Sequence, residues 1–378
     1  MTISDFDGNV KDALPRATET TTPRPTSTAA IDPRELDEAL AGLRSVYGDH
    51  VTVTGGPSQL TGGFWAEMWA LELAHPGRDL PDRAVLRLAP NAEHSAKETA
   101  IQRGVAAAGF PTPRIFAAGP GTPAGSAGNA TSGTRSWNVM EFAPGEPLLA
   151  GLSGFGALVK LPRLARVLPV QLAQVMAQLH ALDISTLDIG PTGTVQDTHC
   201  DAVAGILKHF SQRSQAIGDD SLMHAVHWLE AERPSNTKLV MCHGDLHPFN
   251  VLHHDGRLIV LDWTAAQVAD PAFDVTYTAL LLASPPLQAP RAVMPIINAA
   301  ARALSRRFIR CYQRHSGTQP IAPQRFDWFT TLHHVRMLLE IAEWRHAGVL
   351  KDHQGHPYLT MQSEVEANVS ARTGAAFN

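Results

Sequence analysis

The stretch MCHGDLHPFNVLHHDGRLIVLDW, residues 241–263, decides the fold of this 378-residue chain. It is entered from a strand-like run, KLVMCHG (238–244), and closes on a second, RLIVLDW (257–263), with a turn at His254-Asp255-Gly256. The two runs read as one short strand pair. Asp245 and Asn250 stand five positions apart in the polar loop, and Asp262 follows twelve residues later at the end of the second run. A hairpin of this length brings Asn250 and Asp262 to the same end of the pair. Their amide and carboxylate oxygens are hard donors suited to Mg2+, which keeps several waters and takes its other ligands from phosphates. Asp245, one turn of loop away, is placed to accept a hydrogen bond from an attacking hydroxyl. An Asp and an Asn at D-x-x-x-x-N spacing, then a metal-binding Asp after a hairpin, is the pattern of a phosphoryl-transfer site. Neither HGD nor D-x-x-x-x-N carries that reading alone; the three residues with their flanking strands do.

Outward from this stretch the chain divides in two. Residues 1–31 are rich in Thr, Pro, Ser and Ala without an apolar period and read as a disordered tail. Asp32-Pro33-Arg34-Glu35 then has the signature of a helix start, with Asp32 as cap, Pro33 in the first turn and Glu35 as the capping-box carboxylate. Short strand-like runs follow: HVTVTG (50–55), FWAEMWALEL (64–73), RAVLRLA (83–89), RIFAAG (114–119) and SWNVMEF (136–142). One helix, from about Glu93 to Ala108, interrupts them, and the Gly/Ala/Ser/Thr-rich segment 120–134 reads as a surface loop. After Ala143-Pro144-Gly145 the chain turns helical, with periodic segments at 161–182, 201–231, 292–315 and 327–347. The expected organisation is an α+β bilobal chain: an antiparallel-sheet N-terminal lobe over 32–143 with one main helix, and a mainly helical lobe over 144–360. Residues 361–378 read as a second flexible tail.

Composition narrows the classes. The formal charge is −5, which leaves no basic footprint for nucleic acid and no polybasic membrane patch. The most apolar stretch, Val275 to Ala283, is far short of the ~20 residues that span a bilayer. MTISDFDGNVKD lacks the pattern of a secretory signal, so a cytoplasmic location is expected. Cys200, Cys242 and Cys311 are widely spaced, odd in number and without a CxxC, against both a disulfide scaffold and a cysteine zinc site.

HGDLHPFNVL followed by VLDWTAAQVADPAFDV closely resembles the aminoglycoside phosphotransferase and choline kinase-like family, which has the protein-kinase-like fold. VMAQLHALD (175–183) is similar to the family's helix before the catalytic loop, VMEFAPGEPL (139–148) to its hinge strand and lobe linker, and KETAIQRGVAAAGFPTPRI (97–115) to its N-lobe helix and next strand. The resemblance covers roughly residues 45–350. It implies transfer of the γ-phosphoryl group of ATP, with GTP left open, to a hydroxyl of a small molecule. Asp245 would be the catalytic Asp, and Asn250 and Asp262 the Mg2+ ligands. His243 and His247 would shape the loop, and Asp270 and Asp274 match a motif just after the metal Asp, Asp274 tying loop backbones together. The implied partner is a small acceptor, with no nucleic acid or membrane, on a monomer or homodimer.

The resemblance also exposes departures. The kinase fold places Lys on its third strand, paired with a helix Glu, to grip the α- and β-phosphates; here Arg87 holds that position, with Glu98 as its expected partner. A guanidinium binds phosphate well through paired donors. The phosphate-covering loop is no G-x-G-x-x-G, but Gly62 and Gly63 leave backbone N–H groups accessible. Glu141 and Phe142 fall where adenine meets the hinge backbone. Glu340, Glu343 and Trp344, with His333, lie on a helix near the family's acceptor site; an acidic and aromatic wall would suit an amino sugar, an aminoglycoside-like molecule or an amino alcohol. Two other classes compete. One is a non-catalytic nucleotide-binding scaffold, against which the intact Asp245, Asn250 and Asp262 stand. The other is a metal-dependent hydrolase built on some of the eighteen histidines, against which the lack of HExxH stands.

Overall fold

The computed structural model describes residues 31–60, 66–74, 79–90, 92–123, 134–148, 155–189, 202–235, 239–284, 293–354 and 356–377. The expectations for residues 1–30, for Gly62 and Gly63 and for residues 124–133 fall outside these. Helix α1 (Pro33–Tyr47) starts as its sequence dictates: the Asp32 carboxylate accepts from the Arg34 N–H at 2.9 Å, with Pro33 in the first turn. Glu35 turns away from the cap and pairs with Arg135 at 2.8 Å. Ile31, read from sequence as the end of the tail, is buried against this helix's core.

Six antiparallel strands follow: β1 (Thr52–Val53), β2 (Ser58–Leu60), β3 (Glu67–Ala74), β4 (Arg83–Ala89), β5 (Ile115–Pro123) and β6 (Thr134–Glu141). Their order is β1-β3-β4-β6-β5, with β2 also on β3. Leu71, Leu86, Leu88, Trp137 and Val139 from this sheet close a core with Leu40 and Leu43 of α1. Helix α2 (Ala92–Ala107) is tied to the sheet by polar contacts: Asn138 to Thr99 at 3.4 Å, Gln102 to the Pro113 carbonyl at 2.8 Å, and Glu98 to Arg87.

Past the linker, β7 (Glu146–Pro147) pairs with β9 (Val251–His254), which pairs in turn with β10 (Arg257–Val260). Here the structure corrects the strand pairing expected from sequence. Strand β8 (Val240–Cys242) pairs with β11 (Gln267–Ala269), and β10 pairs with β9 through a tight turn. Asp255 and Gly256 both have positive φ, 47° and 78°, the geometry a two-residue hairpin turn needs. Thr112 stitches the sheet-bearing part to this region: it donates to the Val260 carbonyl at 2.9 Å and accepts from the indole N–H of buried Trp263 at 2.8 Å.

The rest is helical: α3 (Phe155–His180), α4 (Ala202–Ile217), α5 (Asp220–Ala231), α6 (Pro271–Ala283), α7 (Met294–Ser316), α8 (Pro323–His346) and α9 (Pro357–Thr373). The architecture is the α+β, bilobal protein-kinase-like fold. The flexible tail expected from residue 361 is not one. Residues 361–373 continue α9, whose Tyr358, Met361, Val365 and Val369 recur at helical spacing and are buried in the core with Trp328 and Leu338. Among the described residues no helix is long and apolar enough to cross a membrane.

Candidate active site

The loop after β8 is held by its neighbours on every side. Gly244 has φ +77°, and a Cβ there would lie 2.2 Å from the Ala265 carbonyl oxygen, so only glycine fits. Asp274, on the first turn of α6 and 1% exposed, accepts from the His243 N–H at 2.8 Å and the Gly244 N–H at 2.6 Å. Its Oδ2 also meets His180 Nε2 at 3.0 Å, and the other ring nitrogen of His180 meets the Tyr312 hydroxyl at 2.7 Å. From α8, Arg336 donates to the Gly244 carbonyl at 2.9 Å. His243 Nδ1 accepts from the Asp245 N–H at 3.2 Å, so its proton sits on Nε2, which donates to the Leu261 carbonyl at 3.0 Å. Burial holds that ring's pKa below its usual value, in the neutral form these bonds require.

Asp245 presents its carboxylate from this loop, a quarter exposed. Asn250 Nδ2 donates to both its Oδ2 and its backbone carbonyl, each at 3.0 Å. His247 Nδ1 accepts from the Phe249 N–H at 3.2 Å, leaving Nε2 protonated and facing Asp245 Oδ2 at 3.5 Å. Burial raises the Asp245 pKa. The His247 Nε2–H, the Arg336 guanidinium and the nearby Tyr277 hydroxyl outweigh it and bring the value down to about 2.

Asn250 spends its amide nitrogen on Asp245, which reserves its amide oxygen as a ligand. The Leu261 N–H donates to the Asn250 carbonyl at 2.9 Å, so Asn250 and Asp262 hang from adjoining backbone. Asp262 is exposed and has φ +64°, a left-handed conformation that costs energy for a residue with a Cβ. The Thr264 N–H and hydroxyl both donate to its Oδ1. On β4 and α2 stands the Arg87–Glu98 pair, 2.7 Å apart with side chains 12% and 6% exposed. Burial raises the Glu98 carboxyl to about 7, Arg87 opposes the rise, and the Asp262 charge adds to it. Asp262 therefore shares one electrostatic neighbourhood with this pair. An amide oxygen and an exposed carboxylate, beside a guanidinium able to take phosphate, form a donor set that fits Mg2+ carried by a nucleotide.

Other residues named from sequence sit elsewhere. Glu141 accepts from the Arg114 N–H at 3.3 Å and gives its own N–H to the Arg114 carbonyl at 2.8 Å; Phe142 lies under the Arg83 guanidinium at 4.0 Å. Asp270 caps α6 through the Ala272 N–H at 2.7 Å and pairs with Arg325 at 2.8 Å. Both oxygens of Glu343 are taken by Arg213, at 2.7 and 2.5 Å. Trp344 is buried and stacks on His353 at 4.1 Å, and His333 is buried on the Phe273 carbonyl at 2.7 Å. Glu340 alone of the acceptor wall adjoins the loop, through Arg336 at 3.4 Å. The side chains missed were Arg336, Tyr277 and His180. Tyr277 lies one helical turn after Asp274, and Arg336 stands at i,i+4 to Glu340; both spacings were visible. Among the described residues, His180, Cys242 and Asp274 cluster closely enough to hold a metal, but Asp274 already accepts two backbone N–H groups there.

Comparison with known proteins bears on this geometry. The family model described as the phosphotransferase enzyme family matches residues 58–307. A curated mouse (Mus musculus) protein, acyl-CoA dehydrogenase family member 10, is 24% identical over 260 residues, covering 67% of this chain and 22% of its own length; the chain thus spans about a fifth of that relative. Among solved structures, a thermostable mutant of aminoglycoside phosphotransferase APH(4)-Ia in ternary complex with AMP-PNP and hygromycin B superposes with TM-score 0.53 at 23% identity, over 89% of this chain and 98% of that one. Amicoumacin kinase hAmiN, in complex with AMP-PNP, Ca2+ and Ami, superposes with TM-score 0.53 at 12% identity, over 91% and 94%.

Proposed function

The chain belongs to the phosphotransferase enzyme family, and we propose that it transfers the γ-phosphoryl group of ATP, in a Mg2+-dependent reaction, to a hydroxyl of a small molecule. The observation that carries this reading is the grouping of Asp245, Asn250 and Asp262 at one end of the β9–β10 hairpin, with the Asp262 charge acting on the Arg87–Glu98 pair. Arg87 binds the α- and β-phosphates, and Glu98 holds its guanidinium in place. Asn250 and Asp262 are the residues that would hold the ion, which supplies charge neutralisation on the phosphates when bound. Asp245 accepts a hydrogen bond from the acceptor hydroxyl and aims its oxygen at the γ-phosphorus. As the new O–P bond forms, the bond to the β-phosphate oxygen breaks and ADP leaves. The hydroxyl proton passes to Asp245 and on to solvent. With a pKa of about 2, Asp245 is a weak base; orientation is its main contribution, as suits a loose transition state in which the proton leaves late. AMP-PNP in the solved complexes of two neighbours supports nucleotide use. An amine-bearing acceptor finds support in Glu340 alone, since Arg213 occupies Glu343 and Trp344 lies in the core.

The test is coupled ADP release with Mg-ATP, and in parallel Mg-GTP, across amino sugars, aminoglycosides, choline-like alcohols, macrolides and nucleosides. The expected result is acceptor-dependent release that disappears on chelation of divalent cations. Tight nucleotide binding without release for any acceptor would favour a scaffold, and stoichiometric zinc in the purified protein would favour a hydrolase.

A further inference from the structure

Phe249 stands open to solvent in the loop that carries Asp245, 60% exposed. Among the described residues, the other exposed large hydrophobic side chains are Val46, Val167, Val293, Ile296 and Val349. These are aliphatic, lie outside the loop and need no special explanation. Phe249 differs because its ring is held within the candidate site. It is the middle residue of the 3-10 turn Pro248–Asn250, with Pro248 buried before it. The Phe249 N–H donates to His247 Nδ1 at 3.2 Å, and the Asn250 N–H donates to the His247 carbonyl at 3.0 Å. Successive residues of a 3-10 turn are rotated by about 120°, so Phe249 and Asn250 face different ways. The Phe249 ring meets the His247 ring edge-on, with centres 5.9 Å apart. His247 Nε2 in turn lies 3.5 Å from Asp245 Oδ2. The phenyl ring is thus one side chain removed from the carboxylate that receives the acceptor hydroxyl.

The expected acidic wall offers an acceptor much less. Arg213 takes both oxygens of Glu343, and Arg336 stands 3.4 Å from Glu340. A molecule carrying several ammonium groups meets little net negative charge there. An open aromatic face, by contrast, gains by stacking on a flat apolar surface and removing it from water. We propose that Phe249 is a specificity-determining residue whose ring packs on the acceptor, and that the acceptors are hydroxyl compounds with an aromatic or other flat apolar group close to the phosphorylated hydroxyl. This rests on the phosphotransfer reading above and narrows its acceptor class.

The test uses the full chain and acceptors that differ only in such a group: phenyl glycosides against methyl glycosides of the same sugars, and nucleosides against ribose, with an aminoglycoside as the polycationic control. Coupled ADP release with Mg-ATP is measured for wild type, Phe249→Ala and Phe249→Trp. The wild type should have the higher kcat/KM for the aromatic member of a pair, a result that needs no variant. Phe249→Ala should raise KM for that member by about tenfold, from the share of a phenylalanine side chain still open to burial. KM for the partner lacking the ring and KM for Mg-ATP should stay within about twofold. Phe249→Trp should restore the aromatic acceptor's KM. A purely structural role for the ring would instead lower the melting temperature and shift both members and the nucleotide alike. That pattern, an unchanged KM in Phe249→Ala, or phosphorylation confined to acceptors without a flat apolar group would overturn the proposal and leave phosphotransfer standing. Wild-type protein silent with every acceptor would overturn the phosphotransfer reading, and this proposal with it.

Discussion

Replacing Asp274 with Asn separates the loop-holding role of this carboxylate from its shape, because the side chains are nearly isosteric. The wild-type carboxylate takes Gly244 N–H on Oδ1, and His243 N–H and His180 on Oδ2. An amide keeps one oxygen. In its better orientation that oxygen serves His243 and His180, and the NH2 faces the Gly244 N–H, leaving one buried donor unpaired. A hydrogen bond to a charged acceptor is worth about 1.5–3 kcal/mol net, and an orphaned buried donor costs about 1–3 kcal/mol, so Asp274→Asn should lose about 2–4 kcal/mol. That is a large share of the roughly 5–15 kcal/mol of a typical domain, yet compatible with folding. Urea unfolding at neutral pH measures it as a lowered midpoint at unchanged slope. The pH dependence has a definite sign. Burial raises the Asp274 pKa, but the His180 hydrogen bond and charge and the Gly244 N–H outweigh it and hold the value below the ordinary aspartate value. A group depressed in the folded state stabilises above its unfolded pKa and loses that contribution as pH falls through the folded value. The deficit of Asp274→Asn should thus be full above about pH 4, near the unfolded Asp pKa, and shrink below it. A deficit under about 0.5 kcal/mol, or one unchanged by acid, would refute the placement of Asp274 as the charged anchor of the loop.

Three further outcomes follow from the same geometry. Arg87→Met should abolish tight Mg-ATP binding in calorimetry and, by stranding Glu98 at 6% exposure, cost about 3–5 kcal/mol of stability; a double Arg87→Met, Glu98→Met variant should regain much of that stability and none of the nucleotide affinity. Glu98, raised by burial to about 7, contributes stability that is full below its unfolded pKa and lost as pH rises through about 7, so the melting temperature of the free enzyme should fall from pH 5 to 8 relative to Glu98→Gln; parallel profiles would contradict this. Gly244→Ala places a Cβ 2.2 Å from the Ala265 carbonyl at φ +77°, and should cost at least about 1–3 kcal/mol in thermal unfolding while stopping turnover.

What the sequence revealed was what is local. Asp245 and Asn250 share one loop, and the Arg87 and Glu98 positions lie on adjacent elements, so spacing and resemblance sufficed to name them together. The strand pairing went astray because RLIVLDW reads as one hydrophobic run. Strand β10 ends at Val260, ahead of the left-handed Asp262, and its partner contains His253 and His254, whose polarity hides a strand. Helix α9 was passed over because its buried positions, Tyr358, Met361, Val365 and Val369, are thinly spread among polar residues, although their spacing is helical. The acceptor wall failed for a different reason. The Glu343 partner, Arg213, is 130 residues away, and a carboxylate's availability depends on such distant contacts, which no local pattern carries.

The central claim is tested most directly by following the γ-phosphoryl group itself. ATP labelled at the γ-position would be incubated with Mg2+ and the acceptor panel, using wild-type protein, Asp245→Ala and Asp262→Ala. Label should move to an acceptor only with the wild type, while Asp245→Ala keeps its fold and its Mg-ATP binding and Asp262→Ala loses that binding. Acceptor labelling by Asp245→Ala at a near wild-type rate would contradict the account.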